Sequence, residues 1–174
     1  GGVERDFTPH LVEKLRRFVE YFPPKIDEYV AFLETNRIWL SRTKGVAVIS
    51  AEDAINFGLS GPTLRGSGVD YDLRKFEPYA AYGECEWSVP VGKNGDTYDR
   101  YWVRVEEMRQ SRNMVKQLLE KIPEGPVMAD VPSVTLPPKD KVFNDLASMI
   151  QQFKLFSQGF QAPKGEIYCG TEAA

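Results

Sequence analysis

Apolar residues recur at helical spacing in several separate stretches of the chain. Leu11, Leu15, Phe18, Val19 and Phe22 repeat at steps of three and four behind Thr8-Pro9. Thr8 suits the N-cap and Pro9 the first turn, so the pattern predicts a helix over about 9–22. Pro23-Pro24 are expected to end it and to seed a second helix. Ile26, Val30, Leu33, Arg37 and Leu40 continue the spacing over about 25–42. Arg37 falls on that apolar stripe, as a snorkelling side chain or as half of a buried ion pair. Ser50-Ala51-Glu52-Asp53 reads as a capping box opening a short helix over about 51–57, with Gly58 at its end. Asp96 caps the longest helix, about 97–121, whose main apolar line is Tyr101, Val105, Met108, Val115, Leu119 and Ile122. A Pro-rich connector follows. Val142, Leu146, Met149, Phe153 and Phe156, widened by Phe143 and Ile150, then predict a last helix over about 139–158. Only residues 84–89 alternate with period two, which predicts a half-buried strand; Gly165 to Cys169 reads as the start of another.

Two regions break the pattern. Between Gly61 and Tyr82 periodicity disappears among Gly61, Pro62, Arg65, Gly66, Gly68, Asp70, Asp72, Arg74 and Pro78, which predicts a long ordered Gly/Arg-rich loop or a run of turns. Its opening, Gly61-Pro62-Thr63-Leu64-Arg65-Gly66-Ser67, comes near a phosphate-binding loop. Ser67 stands where that loop needs lysine, so nucleotide binding is not indicated. On the long helix a second line runs Arg100, Arg104, Glu107, Ser111, Met114, Leu118, charged at its start and apolar at its end. The charged half is either a polar network covered by protein or an exposed face of ion pairs. The carboxylates Asp96, Asp99, Glu106 and Glu107 lie among Arg100, Arg104 and Arg109, which favours pairing over acid catalysis or metal binding.

Composition narrows the chemistry. The 174 residues are 42% hydrophobic and 27% charged, an ordinary globular balance. The net charge of −3 speaks against a nucleic-acid partner. No apolar run reaches the length needed to cross a bilayer. Cys85 and Cys169 are the only cysteines and His10 the only histidine, too few for a structural zinc or iron–sulfur site, and a histidine-dependent triad would rest on His10 alone. No catalytic, cofactor-binding or metal residue is therefore assigned. The two ends, Gly1-Gly2-Val3 and Thr171-Glu172-Ala173-Ala174, are expected to be cuts within a longer protein.

The residues carry more when read as words. Asn36-Arg37-Ile38-Trp39-Leu40, Ile49-Ser50-Ala51-Glu52-Asp53-Ala54 and Ser60-Gly61-Pro62 occur in order. Leu64-Arg65-Gly66-Ser67-Gly68, Asp72-Leu73-Arg74-Lys75 and Val89-Pro90-Val91-Gly92 follow. Asn94-Gly95-Asp96, Tyr98-Asp99-Arg100-Tyr101 and Val103-Arg104-Val105-Glu106-Glu107-Met108-Arg109-Gln110-Ser111 complete the set. In this order and spacing the chain resembles the 49-kDa (D) subunits of respiratory complex I, the proton-pumping NADH:quinone oxidoreductase. Thr97 departs from the cysteine often found there in the family, at no known ligand position.

The resemblance implies a mainly α fold: a helical core related to the nickel–iron hydrogenase large subunit, with short β-strands, the chain being one piece of its central domain. It implies a place in the peripheral arm, beside the subunit that carries the terminal iron–sulfur cluster, where the two form the quinone cavity. The expected partners are the other peripheral-arm subunits, the membrane-arm subunits and quinone. The expected location is the membrane periphery, on the cytoplasmic side of a bacterial inner membrane or the matrix side of a mitochondrial one. The family's quinone head-group residues lie upstream of the matching stretch, so quinone is substrate of the whole subunit and no cofactor is expected on this piece, which alone should be inactive. Two other readings stand beside this one: an interaction scaffold without activity of its own, and the equivalent subunit of a membrane-bound hydrogenase or another quinone reductase. For the residues present, Arg65, Arg74, Arg100, Arg104 and Glu107 are expected to form a buried polar network near the subunit interface. Stripes bared by excision, such as Phe143, Ile150 and Phe153, are expected to drive artefactual self-association.

Overall fold

The computed structural model describes residues 2, 3 and 5–172; Gly1, Glu4, Ala173 and Ala174 lie outside the described residues. Eight α-helices occupy the described chain: α1 Pro9–Glu34, α2 Arg37–Thr43, α3 Ala51–Asn56, α4 Gly61–Gly66, α5 Leu73–Phe76, α6 Thr97–Glu120, α7 Lys139–Asn144 and α8 Leu146–Ser157. The fold is mainly α. The only β pairing among the described residues is an isolated antiparallel bridge between Gly2 and Met128. The chain divides into two compact units, the larger formed by Pro9–Ile122 with the segment from Cys169, the smaller by the residues up to Thr8 with Pro123–Tyr168.

In the larger unit α1 and α6 pack antiparallel. Tyr98 Oη donates to Glu34 at 2.7 Å, Arg109 pairs with Asp27 at 2.7 Å, and Arg112 and Lys116 reach Glu20 at 3.4 Å, so the order along α6 runs backward along α1. Val19 and Ile26 from α1 and Val103, Val105 and Met114 from α6 are buried, with Leu64 and Ala54 from α4 and α3. The bond to Glu34, aided by burial, pushes the Tyr98 hydroxyl up to about 12.

α1 passes straight through Pro23 and Pro24, where the sequence pattern predicts a break. A proline inside a helix removes the donor to the carbonyl four residues earlier. For Pro23 that carbonyl belongs to Val19, which is 2% exposed. Arg112 Nε of α6 donates to the Val19 oxygen at 2.7 Å. A side chain from the neighbouring helix thus replaces the missing backbone donor, and the helix continues.

The break falls at Asn36 instead. Asn36 turns out of the helix with extended φ and ψ and accepts from Ile38 and Trp39 N–H, which starts α2 afresh. Arg37 therefore sits exposed in the first turn of α2, not buried in an ion pair.

Residues 84–89 are not a strand. Their backbone finds no sheet partner; instead Gln117 exchanges two hydrogen bonds with Glu86 (2.8 and 2.7 Å), and Gln110 accepts from Ser88 at 3.2 Å. Two α6 glutamines therefore do the work of a neighbouring strand, and Cys85 still turns into the core. Residues 166–170 likewise belong to no strand.

In the smaller unit the predicted helix over 139–158 is split. Asp145 adopts extended angles and caps α8 by accepting from Ser148 N–H at 2.8 Å and Ser148 Oγ at 2.6 Å. A short acidic side chain competes well for backbone donors, so it stops one helix and starts the next. Val3 N–H donates to Val127 at 2.9 Å beside the isolated bridge. No described helix is long and apolar enough to cross a membrane.

Candidate functional site

The region between Gly61 and Phe76 is not one loop. Pro62 pre-sets the first turn of α4, and Asp72 caps α5 through Arg74 N–H at 3.0 Å. Between them the backbone turns at Ser67-Gly68. Gly61, Pro62, Leu64, Arg65 and Gly66 are all buried, because α4 lies against α6. The fit is close. A Cβ on Gly66 would stand 2.8 Å from Arg100 Cγ, and one on Gly92 2.5 Å from the Gly66 carbonyl. The carbonyls that end α4 are taken by the next loop: Gly92 N–H donates to Arg65 O at 2.8 Å and Gly95 N–H to Gly66 O at 3.1 Å.

This packing sinks the Arg65 side chain completely, with 0% exposure. A buried guanidinium requires partners on every edge. Nε donates to Glu107 Oε1 of α6 at 2.9 Å, with Nη2 2.6 Å from the same oxygen. Nη1 donates to the Tyr71 carbonyl at 3.1 Å and to Glu172 Oε1 at 3.0 Å, and lies 3.3 Å from Asp72 Oδ2. Asp72, itself 0% exposed, is gripped from its other side by Arg74, Nε at 2.9 Å and Nη2 at 2.6 Å. Burial pushes the Asp72 carboxyl up, but the Arg74 fork and the charge of Arg65 outweigh it and hold the group below the ordinary carboxylate range. The bond to Asp72 raises Arg74 in turn. The Arg74 guanidinium also lies 4.8 Å from the Trp87 ring centroid, with Lys75 at 4.9 Å. Two cations and three anions thus form one socket that joins α4, α5 and α6.

Of the five residues singled out by sequence, the structure brings Arg65, Arg74 and Glu107 together. Arg100 and Arg104 lie apart from them. Arg100 ties three backbone and hydroxyl groups to the start of α6: Gly95 O at 2.8 Å, Ala47 O at 3.0 Å and Thr97 Oγ1 at 3.0 Å. Arg104 is exposed and donates to the Arg100 carbonyl at 3.0 Å. The separation follows from helix geometry: Arg100 and Arg104 are about two turns and one turn nearer the α6 N-terminus than Glu107, and Arg100, packed against Gly66, turns its guanidinium to the Gly95 and Ala47 carbonyls. Sequence reasoning missed Asp72 and Glu172 as members. Asp72 had a signal, since a buried arginine needs a carboxylate and Asp72-Leu73-Arg74 offers one. Glu172 had none, lying 107 positions from Arg65.

A second acidic centre steadies the same region. Asp96 caps α6 through Asp99 N–H at 2.8 Å and accepts from Gly45 N–H at 2.8 Å. Asp99 accepts from Lys93 N–H at 2.6 Å and also from Asn94 N–H and its side-chain amide. Burial raises the Asp99 carboxyl and these donors more than reverse it, so it too is held low. Beside the socket, α1, α4 and α6 frame a groove of about 560 Å³, mostly apolar, into which Glu107, Arg104 and Ser111 project.

A family model described as the respiratory-chain NADH dehydrogenase 49 Kd subunit matches residues 1–174. The chain belongs to this family. Within the 49-kDa family, it is 48% identical over 172 residues to the D-type NADH-quinone oxidoreductase subunit of Geobacter metallireducens, covering 99% of this chain and 44% of the relative. It is 50% identical over 173 residues to the D-type subunit of Trichlorobacter lovleyi, again 99% of this chain and 44% of the relative. The D-type subunit of Wolbachia from Brugia malayi is 46% identical with the same coverage. The chain thus spans less than half the length of these relatives. The words that carried the resemblance to the 49-kDa family contain Arg65, Asp72, Arg74 and Glu107, four of the five charged members of the socket.

Proposed function

We propose that this chain forms part of a 49-kDa-type subunit in the peripheral arm of a proton-translocating NADH:quinone oxidoreductase. There it contributes to the protein wall of the quinone-reduction site, next to the neighbouring subunit that carries the terminal iron–sulfur cluster. The observation that carries the reading is the family match along the whole chain, together with relatives named as D-type subunits of NADH-quinone oxidoreductase. The reading includes the membrane periphery on the cytoplasmic or matrix side, quinone as substrate of the whole subunit, and a core related to the nickel–iron hydrogenase large subunit. The Arg65 socket braces α4 against α6 close to a subunit interface in this account, and the chain's own residues serve positioning rather than redox chemistry.

One observation favours a scaffold role for this stretch within that complex. Asp72, Glu107 and Glu172 all face arginine, and Asp96 and Asp99 are consumed as caps and loop anchors. Asp72 and Asp99, both held below the ordinary carboxylate range, stay ionised near neutral pH and are poor proton carriers there.

The test is a chimera in which this chain replaces the matching stretch of the Geobacter metallireducens relative. The assembled complex is expected to oxidise NADH with quinone as acceptor. A complex that assembles but reduces only artificial one-electron acceptors, never quinone, refutes the reading.

A further inference from the structure

One member of the Arg65 socket differs from the rest. Asp72 and Arg74 follow Arg65 closely in the chain, and Glu107 comes from α6, which packs on α4. Glu172 comes from the segment 169–172, which belongs to no helix or strand and follows the exposed Ile167 (95%) and Tyr168 (92%). Two bonds tie it down. Glu172 Oε1 accepts from Arg65 Nη1 at 3.0 Å, and Glu172 N–H donates to Tyr79 Oη at 3.1 Å.

Removing Glu172 from the socket takes one hydrogen bond from Arg65 but leaves it with counter-charges. Arg65 keeps Glu107 on Nε, and its Nη1 keeps the Tyr71 carbonyl and Asp72. Arg74 keeps both oxygens of Asp72. Two guanidiniums then face two carboxylates, a balanced and hydrogen-bonded core. Any other member leaves differently. Loss of Glu107 or Asp72 takes away a partner on which a fully buried guanidinium depends, which is among the costlier changes a protein interior can suffer. The third carboxylate is therefore the detachable one.

We propose that residues 169–172 are a releasable strap on the larger unit, latched by Glu172 on Arg65 and Tyr79. The four-group core Arg65–Asp72–Arg74–Glu107 stays assembled whether the strap is seated or free.

The test uses the full 174-residue chain and two readouts: residue-resolved amide hydrogen exchange, and urea unfolding followed by tryptophan fluorescence. In Glu172→Ala, exchange at 169–172 is expected to rise about tenfold or more, since one charge-assisted bond is lost from a locally opening segment. Exchange along 103–114 and the unfolding midpoint stay as in the parent chain. Tyr79→Phe gives a smaller rise at the same amides. Glu107→Gln, by contrast, lowers the unfolding midpoint. Unchanged exchange at 169–172 in Glu172→Ala overturns the latch. An unfolding midpoint that falls in Glu172→Ala as far as in Glu107→Gln overturns the strap, because the segment is then an integral part of the core.

Discussion

The bond from Arg112 to Val19 allows a sharp test of how α1 survives two consecutive prolines. Replacing Arg112 by methionine keeps much of the length of the side chain and removes its donors. The Val19 carbonyl then has neither the Pro23 N–H nor the guanidinium, in a residue that is 2% exposed. An unsatisfied buried carbonyl costs about 1–3 kcal/mol. The exposed 3.4 Å contact of Arg112 with Glu20 adds little, because such pairs contribute about 0–1 kcal/mol. A loss of about 2 kcal/mol moves the urea midpoint down by about 1 M for a slope near 2 kcal/mol/M. Trp39, Trp87 and Trp102 all lie in the larger unit, so fluorescence reports on that unit alone. The decisive arm is Pro23→Ala, which returns an N–H to the helix. In that background Arg112→Met should cost much less, with a coupling of about 1–2 kcal/mol in the double-mutant cycle. If Arg112→Met costs the same with and without Pro23, the arginine is not replacing the proline's missing donor and the explanation fails.

Further outcomes concern the loops, the acids and the surface. Gly92→Ala places a Cβ 2.5 Å from the Gly66 carbonyl and 3.0 Å from Asp99 Cβ, so it should destabilise the larger unit by about 2 kcal/mol or more, read by the same unfolding curve. Asp99 is held below its ordinary value, so its contribution is present above pH of about 3.9 and is lost as pH falls through the lower folded value. The urea midpoints of the parent chain and Asp99→Asn should therefore differ at pH 7 and converge in acid; a gap that persists at the lowest pH contradicts this. Phe143 (85% exposed) and Phe153 (71%) leave an apolar face on α7 and α8, so light scattering should show association that grows with concentration and weakens in Phe153→Glu. A clean monomer at every concentration goes against it.

The helical character of the fold was legible because helix periodicity is local. The helices α1 and α6 and the caps Ser50 and Asp96 sit where the spacing places them. Of the apolar lines predicted over 9–22 and 97–121, however, only Val19 and Val105 are buried, while Leu11, Phe18, Met108, Val115 and Ile122 stay exposed. The errors have nonlocal causes. Pro23-Pro24 read as a stop until Arg112, 93 positions from Val19, supplied a donor. Residues 84–89 read as a strand because alternation encodes an extended, half-buried backbone, and it cannot say that glutamines will serve as the pairing edge. Gly61 to Tyr82 read as a long loop or a run of turns because α4 and α5 are too short to show a period; burial against α6 makes α4 helical, and the Asp72 cap starts α5. The charged line on α6 pointed toward Arg65 and Glu107, yet it drew in Arg100 and Arg104, whose guanidiniums serve backbone carbonyls instead. Family resemblance carried the functional reading further than residue chemistry could.

The central claim is that the Arg65 socket holds α4 on α6 in a working quinone-reducing complex. Arg65→Met in the chimeric 49-kDa-type subunit tests it most directly, with NADH oxidation measured per assembled complex against both quinone and an artificial one-electron acceptor. Misplacing a wall of the site should cut the quinone-linked rate by about tenfold or more and leave the artificial-acceptor rate intact. An assembled Arg65→Met complex that reduces quinone at the parent rate contradicts the account.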